Sequence, residues 1–163
     1  MSSSPQASQA LVGHVGGLPA ADIVALYHPF GSELDPRPLA AVLRQQGRCL
    51  CLPVVVQREE PMIFRRWSLG DPLEPDLAGV PAPLPLAEQV LPKLILTPLL
   101  AFDSRGGRLG QGGGHYDRTF AALPEAIRVG VAYAGQEVDN LALEPHDIRL
   151  HGILTETGYR AFV

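Results

Sequence analysis

Lysine is nearly absent: Lys93 is the only one, and neither lysine nor arginine precedes Arg37. A secretory signal needs a cationic start ahead of its apolar core, so no such leader is expected. The 13 basic residues are scattered and the formal net charge is −4, which excludes the basic stripe of a nucleic-acid-binding surface. No apolar run approaches the roughly 18 residues that a membrane-spanning helix requires. The five histidines (His14, His28, His115, His146 and His151) show neither HExxH nor HxxEH spacing. GxSxG is missing, which removes a hydrolase nucleophile elbow. Cys49 and Cys51 stand two apart on one face of a strand and form no CxxC motif, so they read as small apolar residues. What is left is a cytoplasmic protein with no membrane and no nucleic acid as partner.

The 163 residues are 46% hydrophobic and 18% charged, which suits one folded domain with a single sizeable core. Residues 1–9 are polar and read as frayed, and ALVGHVGGL (10–18) reads as a short helix weakened by glycine. ADIVALYHP (21–29) reads as a buried strand. Asp35 is the expected N-cap of a helix with Pro36 in its first turn and Gly47 as its stop. CLCLPVVV (49–56) then closes a strand–helix–strand unit, which predicts a parallel sheet. PMIFRRWSL is a further strand. The proline-rich stretch 70–92 is expected to be an ordered surface loop, with a domain linker as the other reading. KLILTPLLAF, IRVGVAYA and HGILTE supply more strands, and HYDRTFAAL opens a helix. The class is α/β.

The most informative segment is RLGQGGGHYDR, residues 108–118. A glycine-rich loop between a strand and a helix aims backbone N–H groups at one spot, and the helix dipole adds positive charge there. Glycine lets an anion approach the backbone closely. Arg108 and Arg118 bracket the loop and suit phosphate oxygens. Neither GxxxxGK[ST] nor GxGxxG is matched, because His115 takes the last glycine position of the latter. Generic rules therefore leave a polyphosphate site and a structural loop both open. Asp117 reads either as a helix N-terminal carboxylate or as a Mg²⁺ ligand. Asp147 is by itself a loop residue, and Trp67 suits a core more than a ligand platform.

LILTPLLAFDSRGGRLGQGGGHYDR resembles the signature segment of the 5-formyltetrahydrofolate cyclo-ligase family, in which an apolar strand ending in Pro is followed by Phe-Asp and RLGxGxGYYDR. LYHPFGSELDPRPL, FRRWSLGDPL, AGVPAP and LEPHDIRLHGILTE match in the same order, so the resemblance spans about residues 22–157. It implies a three-layer α/β sandwich around a mostly parallel sheet, similar to the sugar-phosphate isomerase and CoA-transferase type. It also implies ATP-dependent closure of 5-formyltetrahydrofolate to 5,10-methenyltetrahydrofolate by a monomer, with ATP as co-substrate and Mg²⁺. Carried over by position, Arg108, Leu109, Gly110, Gln111, Gly112, Gly113, Gly114, His115 and Tyr116 would line the nucleotide. Arg108 and Arg118 would serve the chemistry. Glu33, Trp67 and Gln111 to His115 would border the reduced folate, and Asp117 and Asp147 would hold the metal.

Three departures accompany the resemblance. The family's first helix carries Lys-x-x-x-Arg in contact with ATP, and a chain without a basic residue before Arg37 is expected to lack it. His115 replaces the first tyrosine of the YYD step, and Ala82 replaces a glutamate. Losing two charge-assisted bonds of about 1.5–3 kcal/mol each would weaken ATP binding roughly 10²–10⁴-fold. Two functions stand at this point: the ATP-dependent cyclo-ligase, and a non-catalytic folate- or nucleotide-binding relative.

Overall fold

The structure is a computed structural model that describes residues 4–111, 113–145 and 147–162. Eight strands make one sheet. Its centre is parallel and consists of β1 (Ile23–Ala25), β2 (Cys49–Val54), β7 (Leu94–Thr97), β10 (Ile127–Val131) and β11 (Gly152–Thr155). Antiparallel strands finish the edges: β12 (Gly158–Ala161) beside β11, and β3 (Ile63–Arg66) then β6 (Gln89–Val90) beyond β2. The order across the sheet is β12-β11-β10-β7-β1-β2-β3-β6.

Strand alternation sends successive side chains to opposite faces, and here both faces are buried, which explains the near-continuous apolar strands. Val24, Leu50, Leu52, Leu94, Leu96, Val129 and Leu154 face one cluster. That cluster is closed by Leu11 of α1 (Pro5–Val12) and by Leu39 and Leu43 of α2 (Pro38–Gln45). Ala25, Cys51 and Ile95 face the other side, where Phe120 of α3 (His115–Ala122) packs against them with Phe64. A third cluster, Leu99, Phe102, Leu150 and Ile153, lies under the hairpin of β8 (Ala101–Phe102) and β9 (Arg108–Leu109). Helices therefore lie on both faces of a mostly parallel sheet, the three-layer α/β arrangement expected.

Several elements differ from the sequence expectations. The first helix begins at Pro5, inside the segment expected to fray, because Ser4 Oγ accepts from the Ala7 N–H at 3.2 Å and Pro5 suits the first turn. It bears no basic residue. Asp35 does not cap α2; it accepts from the Arg37 N–H at 2.9 Å and pairs with that guanidinium, and the helix starts at Pro38. The proline-rich stretch is not simply loop. Glu74 and Ala82 pair across β4 (Leu73–Pro75) and β5 (Pro81–Pro83), and Asp76 N–H donates to Val80 O at 2.9 Å. Pro75, Pro81 and Pro83 occupy the alternate register, where an N–H would point out of the ladder, so they cost no ladder bond. Strands β9 and β12 have no counterpart in the expectations, and the single strand expected over KLILTPLLAF is broken at Pro98 into β7 and β8.

Candidate ligand crevice

From β1 the chain moves to β2 on one side, then returns to place β7 on the other. The strand order reverses between β1 and β7, and open parallel sheets bind ligands outside the carboxyl ends of strands at such a point. The loop after β1 delivers Glu33, only 7% exposed. Its Oε1 accepts from the Phe30 N–H at 2.8 Å and its Oε2 from Gln111 Nε2 at 3.4 Å. Burial raises its pKa, against the lowering effect of those two bonds and of the Arg108 charge. The end of β7 supplies the Pro98 carbonyl, which accepts from Arg108 Nε at 3.0 Å and Nη2 at 2.9 Å. The guanidinium also stacks on Tyr116, 5.0 Å from the ring centroid. Burial works against the Arg108 charge and lowers its pKa, while Tyr116, Asp117, Glu33 and Asp147 oppose that shift. One anchored cation thus stands among residues from four separate segments.

The glycine loop leads directly into α3. Gly114 is the N-cap with φ 70°, a left-handed conformation that only glycine adopts without strain. A Cβ on Gly110 would fall 3.0 Å from the Arg108 guanidinium, one on Gly113 2.9 Å from the His115 ring, and one on Gly114 2.8 Å from Arg118 Nη1. The missing side chains therefore make room first for the protein's own cationic and imidazole groups. Arg118 Nη2 donates to Gly113 O at 2.8 Å and lies 3.3 Å from His115 Nδ1. Arginine has no acceptor, so Nδ1 is the acceptor there. Burial and the Arg118 charge both lower the His115 pKa, which keeps the imidazole neutral near pH 7. Arg118 Nε is buried and has no hydrogen-bond partner among the described residues.

Beside this loop opens a cleft of about 420 Å³ lined by Val55, Arg58, Glu59, Leu77, Ala78, Gly113, His115 and Arg118. Of these, Val55, Arg58, Glu59, Leu77 and Ala78 were not expected from sequence. Apart from Ala78, which opens AGVPAP, they belong to no motif, and their place after β2 and in the β4–β5 turn brings them here. A second cavity, about 290 Å³ at the β11–β12 edge, is lined by Phe102, Glu137, Thr155, Tyr159 and Arg160 among others, and by none of the expected site residues.

The other expected residues separate as follows. Asp117 Oδ1 accepts from the Ile148 N–H at 3.2 Å, so the start of α3 meets the backbone at Asp147–Ile148. Asp147 Oδ2 accepts from the Glu144 N–H at 2.8 Å. Among the described residues no group of three or more His, Cys, Asp or Glu could cage a metal ion. Mg²⁺ needs no such cage, since it takes one or two carboxylates and completes its shell with phosphate oxygens and water. Asp117 and Asp147 are the carboxylates that could offer such ligands, Asp117 at the start of α3 and Asp147 in the backbone segment bonded to it. Tyr116 is packed against Phe120 and carries the stacked Arg108. Leu109 is exposed, and Trp67, 4% exposed, belongs to the main core cluster. Gly112 and His146 lie outside the described residues. Ala82 is buried in β5.

Fold and crevice define an α/β protein whose glycine loop, helix start and two arginines suit an anionic ligand at a topological switch point. Comparison with known proteins names the family. The profile of the 5-formyltetrahydrofolate cyclo-ligase family matches residues 3–156, and the chain belongs to that family. It is 36% identical to a 5-formyltetrahydrofolate cyclo-ligase of Haemophilus influenzae over 138 residues, covering 80% of this chain and 74% of that one. It is 34% identical to that of Escherichia coli over 149 residues, covering 83% and 78%. The 5,10-methenyltetrahydrofolate synthetase structure of Aquifex aeolicus superposes with a TM-score of 0.77 at 30% identity, covering 94% of this chain and 80% of that one. The fold is also that of the Mycoplasma pneumoniae synthetase, with a TM-score of 0.69 at 23% identity, covering 92% and 85%.

Proposed function

We propose that this chain is a single-domain, ATP-dependent 5-formyltetrahydrofolate cyclo-ligase. It converts 5-formyltetrahydrofolate and ATP to 5,10-methenyltetrahydrofolate, ADP and phosphate. The observation that carries the site assignment is the convergence of Arg108, Arg118, Asp117 and Asp147 around the glycine loop. The working unit in this reading is a monomer in the cytoplasm. In the route we adopt, the formyl oxygen attacks the γ-phosphorus and the bond from phosphorus to the β–γ bridging oxygen breaks, releasing ADP. N10 then bonds to the formyl carbon and gives up its proton. The carbon–oxygen bond breaks with loss of phosphate, and the N5 lone pair completes the methenyl bridge.

Phosphoryl transfer of this kind is mostly positioning and charge stabilisation. Arg108, held by the Pro98 carbonyl and the Tyr116 ring, gives a fixed positive charge at the carboxyl end of β7. Arg118, whose buried Nε has no partner among the described residues, has donor capacity left for a phosphate oxygen. In this reading Glu33, which accepts from Gln111, hydrogen-bonds the folate, and Trp67 supports the pocket from within the core. Mg²⁺, held by Asp117 and Asp147, would neutralise charge on the phosphate oxygens when bound.

The test is the absorbance of the methenyl product formed from 5-formyltetrahydrofolate with Mg-ATP. Absence of product, together with absence of binding of either substrate, would overturn the assignment. Asp117→Asn and Asp147→Asn each keep an oxygen that can accept from the Ile148 or Glu144 N–H. Each should therefore lower the rate at saturating ATP by roughly 10²-fold while the ligand-free melting temperature stays nearly constant. An Asp147→Asn protein that melts early, yet turns over normally per folded molecule, would make that residue structural.

A further inference from the structure

We infer that Arg58 receives the glutamyl carboxylates of the folate, an inference that rests on the cyclo-ligase reading and assigns the substrate's anionic tail within it. Asp76 fixes this side of the cleft. Its Oδ2 accepts from the Val55 N–H at 2.9 Å, and its Oδ1 accepts from the Ala78 and Val80 N–H groups at 2.9 and 3.0 Å. Leu77 N–H donates in turn to Val55 O at 3.2 Å. The β4–β5 turn is thereby held against the end of β2, and Val55 and Leu77 form an apolar wall, Leu77 remaining 57% exposed. Next to it the β2–β3 loop turns sharply at Glu59, whose φ of 61° is the only positive value at a non-glycine among the described residues. That turn sets Arg58 in the cleft lining, and Arg58 makes no hydrogen bond or ion pair among the described residues.

The cleft therefore carries an anion-binding loop at one side, an apolar wall, and a second cation. A reduced folate has the same order: the reacting pterin, an aromatic aminobenzoyl group, then carboxylates. The formyl oxygen must meet the γ-phosphate, so the pterin lies at the glycine loop and the chain runs out across Leu77. Arg118 is taken up by phosphate, which leaves Arg58 as the cation in the cleft lining for the tail. Glu59 lines the same cleft with the opposite charge, and it works against the carboxylate that Arg58 attracts.

Fluorescence titration of the full chain with 5-formyltetrahydrofolate and with 5-formyltetrahydropteroate, which lacks the glutamate, tests this. The wild type should prefer the glutamylated compound. Arg58→Ala should weaken that compound about fivefold to tenfold, leave the pteroate affinity and the KM for ATP as they were, and so erase the preference. Arg58→Lys should recover part of it, and Glu59→Gln should tighten the glutamylated compound alone. Equal loss on both compounds, a silent Arg58→Ala, or a wild type blind to the glutamate would each overturn the assignment. If the wild type makes methenyl product while Arg58→Ala is silent, only the tail site falls; if it binds and converts no folate, the cyclo-ligase reading falls with it.

Discussion

Asp103→Ala should destabilise the protein by about 3–5 kcal/mol, because it strands three backbone donors around a buried carboxylate. Asp103 is 1% exposed. Its Oδ1 accepts from the Gly107 N–H at 2.8 Å and the Arg105 N–H at 3.0 Å, and its Oδ2 accepts from the Leu141 N–H at 3.1 Å. These bonds close the β8–β9 hairpin and tie it to the segment after β10. A Cβ on Gly107 would fall 2.7 Å from Oδ2, so the site has no room for a rearranged bond. At this chain length the change should lower the melting temperature by on the order of 10 °C. Asp103→Asn should cost less, since one oxygen can still serve Gly107 and Arg105 while its amide faces the Leu141 donor.

The pH dependence of that contribution has a definite sign. Burial alone would raise the Asp103 pKa, but the bonds from the Leu141, Gly107 and Arg105 N–H groups, with the Arg105 charge, hold it below the ordinary carboxylate value. A depressed folded pKa means that the stabilisation is complete above the unfolded value of about 3.9 and is lost as pH falls through the folded one. Chemical denaturation of wild type and Asp103→Asn between pH 3 and 7 should show their difference in stability shrink only at the acid end. A constant difference across that range would remove the charge from the explanation.

How far the sequence disclosed this molecule differed from element to element. The parallel centre was legible because Leu94-Ile95-Leu96 and Leu50-Cys51-Leu52 are apolar at every position, as strands buried on both faces must be. The helix after the glycine loop was legible because its loop and first turn carry distinctive residues. Strand β12 was not: Gly158–Ala161 is half exposed and owes its existence to pairing with β11, a tertiary effect that no local pattern announces. Asp35 misled because an Asx turn to Arg37 competes with capping through the same side-chain oxygen. At the site, Asp117 and Asp147 were placed together by resemblance alone, and the Ile148 N–H bond to Asp117 is the physical link between them. Among the described glycines of that loop, the left-handed one is Gly114. Arg58 could have been sought from one general rule, since the loop after β2 lies at the carboxyl end of a parallel strand.

Arg118→Met should lower turnover by roughly 10²–10³-fold, the usual effect of removing one positioned donor from developing charge, without cost to the ligand-free fold. Arg118 lies in the first turn of α3, and its Nη1 reaches back toward the N-cap Gly114. A helix N-terminus carries about half a positive charge, so a cation folded over it is unfavourable by about 0.3–1 kcal/mol. Its bonds there, to Gly113 O and to His115 Nδ1, leave Nε buried without a partner among the described residues. Such an arrangement makes sense as a site kept for an anion: when phosphate arrives, the helix end and the guanidinium attract it together, and their mutual repulsion is screened. Methionine keeps most of the side-chain length and removes the charge, so the ligand-free melting temperature should hold or rise slightly. ATP should then raise the melting temperature less than in the wild type, and added guanidinium ion should restore part of the lost rate. A variant that melts earlier without ligand, converts folate normally per folded molecule and ignores guanidinium would show that Arg118 only braces the loop.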